Sequence, residues 1–290
     1  DNSGKVSEYI LTCRQMGIDI LPPDINEGEA RFSVSDGAIR FALCAIKSIG
    51  RPVVESIIEE RKLGGRFKSL TDFIERMGGK DVNKRVVENL IKAGALDSLG
   101  GNRQQFMIAY AGIMDGVAQS QKTMMTGQLS LFDLVGEEEK ESFQAKLPDV
   151  DEYPKELMLS FEKEVLGVYV SGHPLEEYEE KWRRIISAVT SDFLLDEESG
   201  EVKLRDNQKV IIGGMITEKN IKYTKQNKAM AFLTVEDLYG SVEVIVFPRQ
   251  YERYHALMQE DSKVFILGHA SVEEDRNGKL ICDKIYSFDD

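Results

Sequence analysis

Cysteine, histidine and tryptophan are scarce in this 290-residue chain, at three, three and one. Cys13, Cys44 and Cys282 are odd in number and widely spaced. They form neither a disulfide nor a metal pattern, as expected of a protein kept in a reducing cytoplasm. His173, His255 and His269 are equally scattered, so no zinc site follows. No run of eighteen apolar residues exists, which excludes a membrane-spanning helix and a membrane partner. The N-terminus lacks the basic-then-apolar layout of a secretory signal. Carboxylates converging on a divalent ion are also missing, as are Ser/His/Asp or Cys/His arrangements and a glycine-rich nucleotide loop. No catalytic residue is therefore assigned, and no metal or cofactor is expected within the chain.

What is present begins with charge. The net charge of -13 argues at first against nucleic acid, but the charge is unevenly placed. Residues 137–201 hold 19 acidic and 7 basic side chains, 19 - 7 = 12 net negative charges. Residues 47–103 hold 12 basic and 8 acidic ones, 12 - 8 = 4 net positive charges. Screening acts over ~8 Å at physiological salt, so the local balance matters more than the total. A run of charge also reads simply as a solvated helix face.

Apolar spacing divides the chain. Residues 5–17 carry Val6, Tyr9, Ile10 and Cys13 at helical spacing and stop at Gly17. Pro22-Pro23 then forces extended chain. Arg31–Val34 and Ile39–Leu43 flank Asp36-Gly37, which predicts a hairpin. Residues 44–120 read as all-helical. Four faces mark four helices: Val53, Val54, Ile57 and Ile58; Leu70, Phe73 and Ile74; Val86, Val87, Leu90 and Ile91; and Phe106, Ile108, Ala109 and Ile113. Asn102 is the expected N-cap of the fourth helix. Residues 120–150 lose the periodicity and read as a mobile connector, and Ser191–Arg205 as a second, polar linker. Residues 152–187 are helical again, interrupted at Ser171–Pro174. From Lys209 the period becomes that of strands: Val210–Thr217, Ala229–Val235, Ser241–Phe247, Val264–Val272 and Leu280–Tyr286. A helix over Arg249–Met258 separates the third strand from the fourth. Five strands in this order are the layout of an OB-fold barrel, and Gly213-Gly214 suits a sharp bend in its first strand.

Four features point to chemistry. Ile46-Lys47-Ser48-Ile49-Gly50-Arg51-Pro52 leads into a helix. Gly50 would permit a tight turn, and Pro52 suits the first helical turn. Orphan N–H groups there can hold a phosphate, with Lys47 and Arg51 beside it. The pattern resembles a helix-hairpin-helix with Ser48 in place of the first glycine; an ordinary corner between helices is the competing reading. Ala93-Gly94-Ala95-Leu96, with Lys92 beside it, could be a second copy or a packing turn. Tandem copies would hold both strands of a duplex without reading sequence. In the barrel, Lys219, Lys222, Tyr223, Lys225 and Lys228 lie in or near the loop joining strands one and two. They suit a single strand, with Phe232 and Phe247 as stacking candidates unless alternation buries them. A solvated loop on a protein-binding barrel is the alternative. Finally, Gln128-Leu129-Ser130-Leu131-Phe132 is an apolar island in a polar connector. Leu129, Leu131 and Phe132 would fill pockets on another protein, oriented by the Gln128 amide. The alternative is a short helix packed on the neighbouring domain.

Five stretches carry a family resemblance: Met16–Asn26, Ala45–Gly50, Leu90–Asp97, Gln128–Phe132 and Leu166–Leu175. Together they make almost the whole chain resemble the C-terminal half of the alpha subunit of bacterial DNA polymerase III. The resemblance implies a multidomain α and β chain. Residues 1–30 would end the fingers domain, 31–120 would form a helical domain with tandem helix-hairpin-helix motifs, and 121–150 would be a linker with a clamp-binding motif. Residues 151–204 would be a helical connector, and 205–290 a C-terminal five-stranded OB-fold barrel. It further implies that Gln128, Leu129, Leu131 and Phe132 dock on the sliding clamp. The backbone near Ser48–Gly50 and Gly94 would hold duplex DNA, and the barrel would meet single-stranded template or another holoenzyme subunit. The parent reaction is deoxynucleotide addition with magnesium at palm carboxylates, none of which falls here, so this piece is expected to be inactive alone. His173 enters only as a buried, hydrogen-bonded marker. Two rivals remain: a separate DNA-binding module of hairpins and barrel, and a protein-only scaffold.

Overall fold

The computed structural model describes residues 6, 9–10, 12–14, 16–79, 82–125, 146–196 and 199–289. The chain divides into two compact units, residues 1–172 and 173–290. Gln128–Phe132 and most of the expected connector lie outside the described residues.

In the first unit, residues 6, 9–10 and 12–14 are helical, as expected for the opening segment. A three-stranded sheet follows: β1 (Ile20–Leu21), β2 (Ser33–Ser35) and β3 (Ala38–Arg40), in the order β1-β3-β2. Asp36 (φ 50°) and Gly37 (φ 82°) form its hairpin turn. The second hairpin strand stops at Arg40, earlier than the spacing predicts. Leu43 is fully buried in a 3-10 turn over Leu43–Ala45.

Helices α1 (Arg51–Gly64), α2 (Leu70–Met77), α3 (Lys84–Lys92) and α4 (Arg103–Met125) come next. Each has a local reason to start. Pro52 occupies the first turn of α1, where its missing N–H costs nothing. Ser69 and Asn83 accept from Asp72 N–H (3.1 Å) and Val86 N–H (3.0 Å). Asn102 caps α4 as expected, in a reciprocal pair with Gln105 at 2.8 and 3.0 Å. Ile108 is a correction: it is 56% exposed, so it lies off the packed face.

The extended segment around Pro22-Pro23 ties these helices together. The Asn26 amide pairs with both backbone groups of Phe67, at 2.9 and 2.8 Å. Ile25 N–H donates to Ala95 O at 3.0 Å, and Arg61 donates to the carbonyls of Ile25 and Gly28. The core beneath holds Ile25, Phe41, Leu43, Val54, Ile57, Phe73, Leu90 and Phe106. Each such side chain contributes about 1.5–3 kcal/mol by leaving water. Helix α5 (Lys155–Leu166) closes the unit and ends at Gly167 (φ 78°).

The second unit opens with α6 (Glu179–Ile185) and continues into β4 (Lys209–Tyr223), β5 (Ala229–Asp237) and β6 (Gly240–Val246). After α7 (Pro248–Tyr254) come β7 (Lys263–Ser271) and β8 (Lys279–Ser287). The strands close in the order β4-β5-β6-β8-β7, with only β6–β8 parallel. This is the expected five-stranded barrel, with its helix between the third and fourth strands. Inward residues alternate: Ala231, Leu233 and Val235 on β5, and Val242, Val244 and Val246 on β6.

The register of β4 shifts between Ile216 and Glu218, just beyond Gly213 and Gly214. The two glycines allow close approach: a Cβ on Gly213 would meet the Trp182 ring at 2.6 Å, and one on Gly214 would meet Val235 at 2.5 Å. The buried Trp182 donates Nε1–H to Gly213 O at 2.7 Å, fastening α6 to the outside of the barrel. One expectation needs correction: Ser191–Arg205 is not a free polar linker. Phe193 and Leu204 from this segment enter the barrel core. Thr190, just before it, is held by buried Asp237 through its N–H (2.8 Å) and its hydroxyl (2.6 Å). Charged residues dominate the segment's composition, while two apolar ones decide its packing.

Candidate nucleic-acid interface

The turn before α1 is built from buried and exposed residues in alternation. Ile46 and Ile49 are buried; Lys47, Ser48, Gly50, Arg51 and Pro52 are exposed. Ile49 N–H closes the turn on Ile46 O at 3.2 Å. Both peptide groups of Lys47 are fixed from elsewhere in the unit. Its N–H donates to Val165 O at 2.9 Å, and its carbonyl accepts from the Asn89 amide at 2.6 Å.

Ser48, standing in the first glycine position, has φ +64°, the left-handed conformation that a glycine would adopt without strain. Gly50, from which the tight turn was expected, has an ordinary extended backbone at φ -77°. The turn geometry therefore survives the departure from the glycine pattern, and Ser48 carries it.

Among the described residues, no acceptor takes up the N–H of Ser48, Gly50 or Arg51. These donors lie at the start of a fourteen-residue helix, whose dipole adds positive potential. Arg51 lies 3.9 Å from Glu55, and both are more than half exposed, so the pair is weak. Burial pushes the Cys44 thiol up, against the pull of Arg51, so a neutral thiol precedes the turn. Arg85 is exposed one turn before Asn89 on the same face of α3.

The second turn is built differently. Gly94 has φ +76°, but it is buried and the Arg103 guanidinium lies against it. Its backbone donors are spent inside the fold. Gly94 N–H reaches Ile91 O at 3.0 Å, Ala95 N–H reaches Leu90 O at 2.9 Å, and Asp97 N–H reaches Gly94 O at 3.2 Å. Arg103 is in turn held by Asp97 at 2.9 Å and by fully buried Glu162 at 3.4 Å. Burial opposes its charge, but the hydrogen bonds and charges of these carboxylates outweigh that and raise its pKa. Lys92 is pinned between Glu164 (2.9 Å) and Glu88 (3.0 Å). Its pKa rises too: burial works against the charge, and the two carboxylates prevail. The geometry of this turn thus favours the packing reading. The sequence signal for that outcome was the carboxylate set at Asp97, Glu162 and Glu164, which no local motif connects to Gly94.

On the barrel, β4 runs past the expected loop, so Lys219, Lys222 and Tyr223 are strand residues. The connecting turn is Thr224–Lys228, closed by Thr224 N–H to Lys228 O at 2.9 Å, with Lys225 exposed in it. Phe232 and Phe247 both stay out of the core. Phe232 alternates outward between Ala231 and Leu233, and Phe247 is 44% exposed. Lys222 Nζ sits 4.7 Å from the centroid of the Phe232 ring, and Tyr223 is 68% exposed. One outer edge therefore combines an aromatic face with cations. The opposite turn carries Glu273, Glu274 and Asp275, and across β6–β8 Lys279 is joined to Glu243 at 2.7 Å.

His173 is buried. Its Nδ1 accepts from Leu175 N–H at 3.1 Å, and its Nε2 lies 3.7 Å from the Glu236 carboxylate, which is the structural role expected of it. No group of three or more His, Cys, Asp or Glu side chains among the described residues could hold a metal ion. No helix among these residues is long and apolar enough to cross a membrane.

Residues 17–106 match a family described as a helix-hairpin-helix motif, and residues 210–287 match one described as an OB-fold nucleic acid binding domain. Three relatives share the name DNA polymerase III subunit alpha. The one from Vibrio cholerae is 33% identical over 281 residues, covering 97% of this chain and 23% of the relative. The Saccharopolyspora erythraea protein is 37% identical over 278 residues, covering 94% and 23%. The Thermus aquaticus protein is 35% identical over 290 residues, covering 100% and 22%. The chain spans less than a quarter of the length of these relatives.

Proposed function

From the premise that this chain belongs with the alpha subunits of bacterial DNA polymerase III, matching them over nearly its whole length, we propose that it is a DNA-holding and processivity region of a replicative polymerase. The single observation that carries this reading is the exposed turn at Ile46–Pro52. Free N–H groups, a helix N-terminus and two cations coincide there. Such a turn holds a phosphate without reading bases, so it follows the backbone of any duplex. It acts as a single grip, since the Gly94 turn and Lys92 are committed to internal packing.

The barrel meets single-stranded nucleic acid along the Lys222, Tyr223, Lys225 and Phe232 edge. Bases would stack on aromatics while lysines neutralise phosphates. Gln128, Leu129, Leu131 and Phe132 dock on a sliding clamp; the support is an apolar pentapeptide in a polar stretch, set in a chain related to a replicative polymerase subunit. Deoxynucleotide addition belongs to the parent polymerase, with its magnesium held outside this chain, and other holoenzyme subunits are further partners.

Titration of the 290-residue chain with a bacterial sliding clamp, with and without primed DNA, tests this reading. Replacing Leu131 and Phe132 by Ala should abolish clamp binding and leave DNA affinity within about twofold, because the DNA contacts are assigned to other residues. Clamp retention by that variant would remove the clamp assignment.

A further inference from the structure

We propose that Asn89 is the positioning residue of the phosphate-facing turn. From α3 it holds the Lys47 carbonyl, so that Ser48 stays left-handed and the N–H groups of Ser48, Gly50 and Arg51 remain outside the protein's own hydrogen-bond network. The proposal rests on the DNA-holding reading of this turn.

Asn89 is an outlier on its helix. Its neighbours Val86, Val87, Leu90 and Ile91 are buried apolar residues, and Asn89 itself is only 8% exposed. An amide in that company is costly unless it is hydrogen-bonded. Its Nδ2 donates to Lys47 O at 2.6 Å, across 42 residues of sequence. With Lys47 N–H fixed on Val165 O at 2.9 Å, the peptide planes on both sides of Lys47 are set. The plane between Lys47 and Ser48 is the reference from which φ of Ser48, the rotation about its N–Cα bond, is measured. An L residue at φ +64° is disfavoured on its own, and it persists where its surroundings over-determine it. Buried Ile46 and Ile49 supply apolar anchors on either side. Among the described residues, Asn89 supplies the side-chain hydrogen bond to the turn. A glycine at position 48 would adopt this conformation freely; a serine there makes the clamp necessary. Asn89 touches no nucleic acid in this scheme and acts through Lys47.

The test uses the 290-residue chain, a mixed-sequence duplex of about 20 base pairs and fluorescence anisotropy at several salt concentrations. Asn89→Leu removes the donor at similar volume. Ser48→Val, at an exposed position, resists the left-handed conformation without touching charge or core. Each should weaken binding roughly tenfold at every salt concentration, the scale of a lost hydrogen bond to a charged group. The slope of log K against log salt should stay unchanged, because the cations remain. Lys47→Gln with Arg51→Gln should instead lower that slope. If the Gln pair weakens binding while Asn89→Leu and Ser48→Val, folded by circular dichroism, bind like the parent chain, the positioning role is wrong and the DNA reading stands. If the Gln pair has no effect, the DNA reading itself fails. Should Asn89→Leu not fold, Ser48→Val decides alone: undiminished binding, or a loss that comes with a reduced slope, overturns the proposal.

Discussion

Removing the two cations at the turn tests the phosphate-holding role most directly. Lys47 and Arg51 are exposed, and the only ion pair Arg51 makes among the described residues is the long one to Glu55. Lys47→Gln with Arg51→Gln should therefore cost less than about 0.5 kcal/mol of stability, the usual range for surface changes. Binding should respond quite differently. Each neutralised phosphate contributes ~0.9 to the slope of log K against log salt, so losing two contacts lowers the slope by about 1.8. Over a fourfold rise in salt, the parent chain should lose about twelvefold more affinity than the variant. Anisotropy titrations on two duplexes of unrelated sequence measure this, and both should give the same slopes. An unchanged slope would show that these side chains meet no phosphate. A slope that fell for one sequence alone would show base readout, which an N–H turn cannot perform.

Two further outcomes concern the barrel. Lys222→Glu with Lys225→Glu should reduce binding to a single strand before binding to a duplex; equal losses, or none, would move this edge to protein contact. Cys282 is 1% exposed, and burial, helped by the Asp283 charge, pushes its thiol up to about 12. At pH 8 the folded thiol is ionised to roughly one part in ten thousand, against about a quarter in the unfolded chain. A thiol reagent should therefore modify Cys282 only as the barrel opens; fast labelling under native conditions would contradict the packing. Because the folded value lies above the unfolded one, the stabilisation from this thiol is complete below about pH 8.5 and is lost as pH rises towards 12.

The order and type of elements were legible in the sequence because local periodicity specifies them. The barrel's five strands, the four helices and the Asn102 cap follow from alternation, from 3.6-residue spacing and from side chains that bond their own backbone. Boundaries were less legible. Strand β4 runs to Tyr223 because pairing with β5 continues beyond the apolar stretch, and polar residues can pair as well as apolar ones. The segment before the barrel looked like a linker because its apolar residues, Phe193, Leu194, Leu195, Val202 and Leu204, follow no period, yet Phe193 and Leu204 are buried in the core.

The sequence alone determined which residues could face a phosphate, since lysine, arginine and a helix start are local properties. Tertiary structure decided which of two similar turns is free to do so. Gly94 and Ser48 share a left-handed backbone. Arg103, Asp97 and Glu162 close over the first, while Asn89 and Val165 brace the second from beneath and leave its donors exposed. The difference lies in partners 42 to 118 residues distant from Lys47 and 3 to 68 from Gly94. A hydrogen bond depends on where two groups meet in space, and no period or spacing in a linear chain records that meeting.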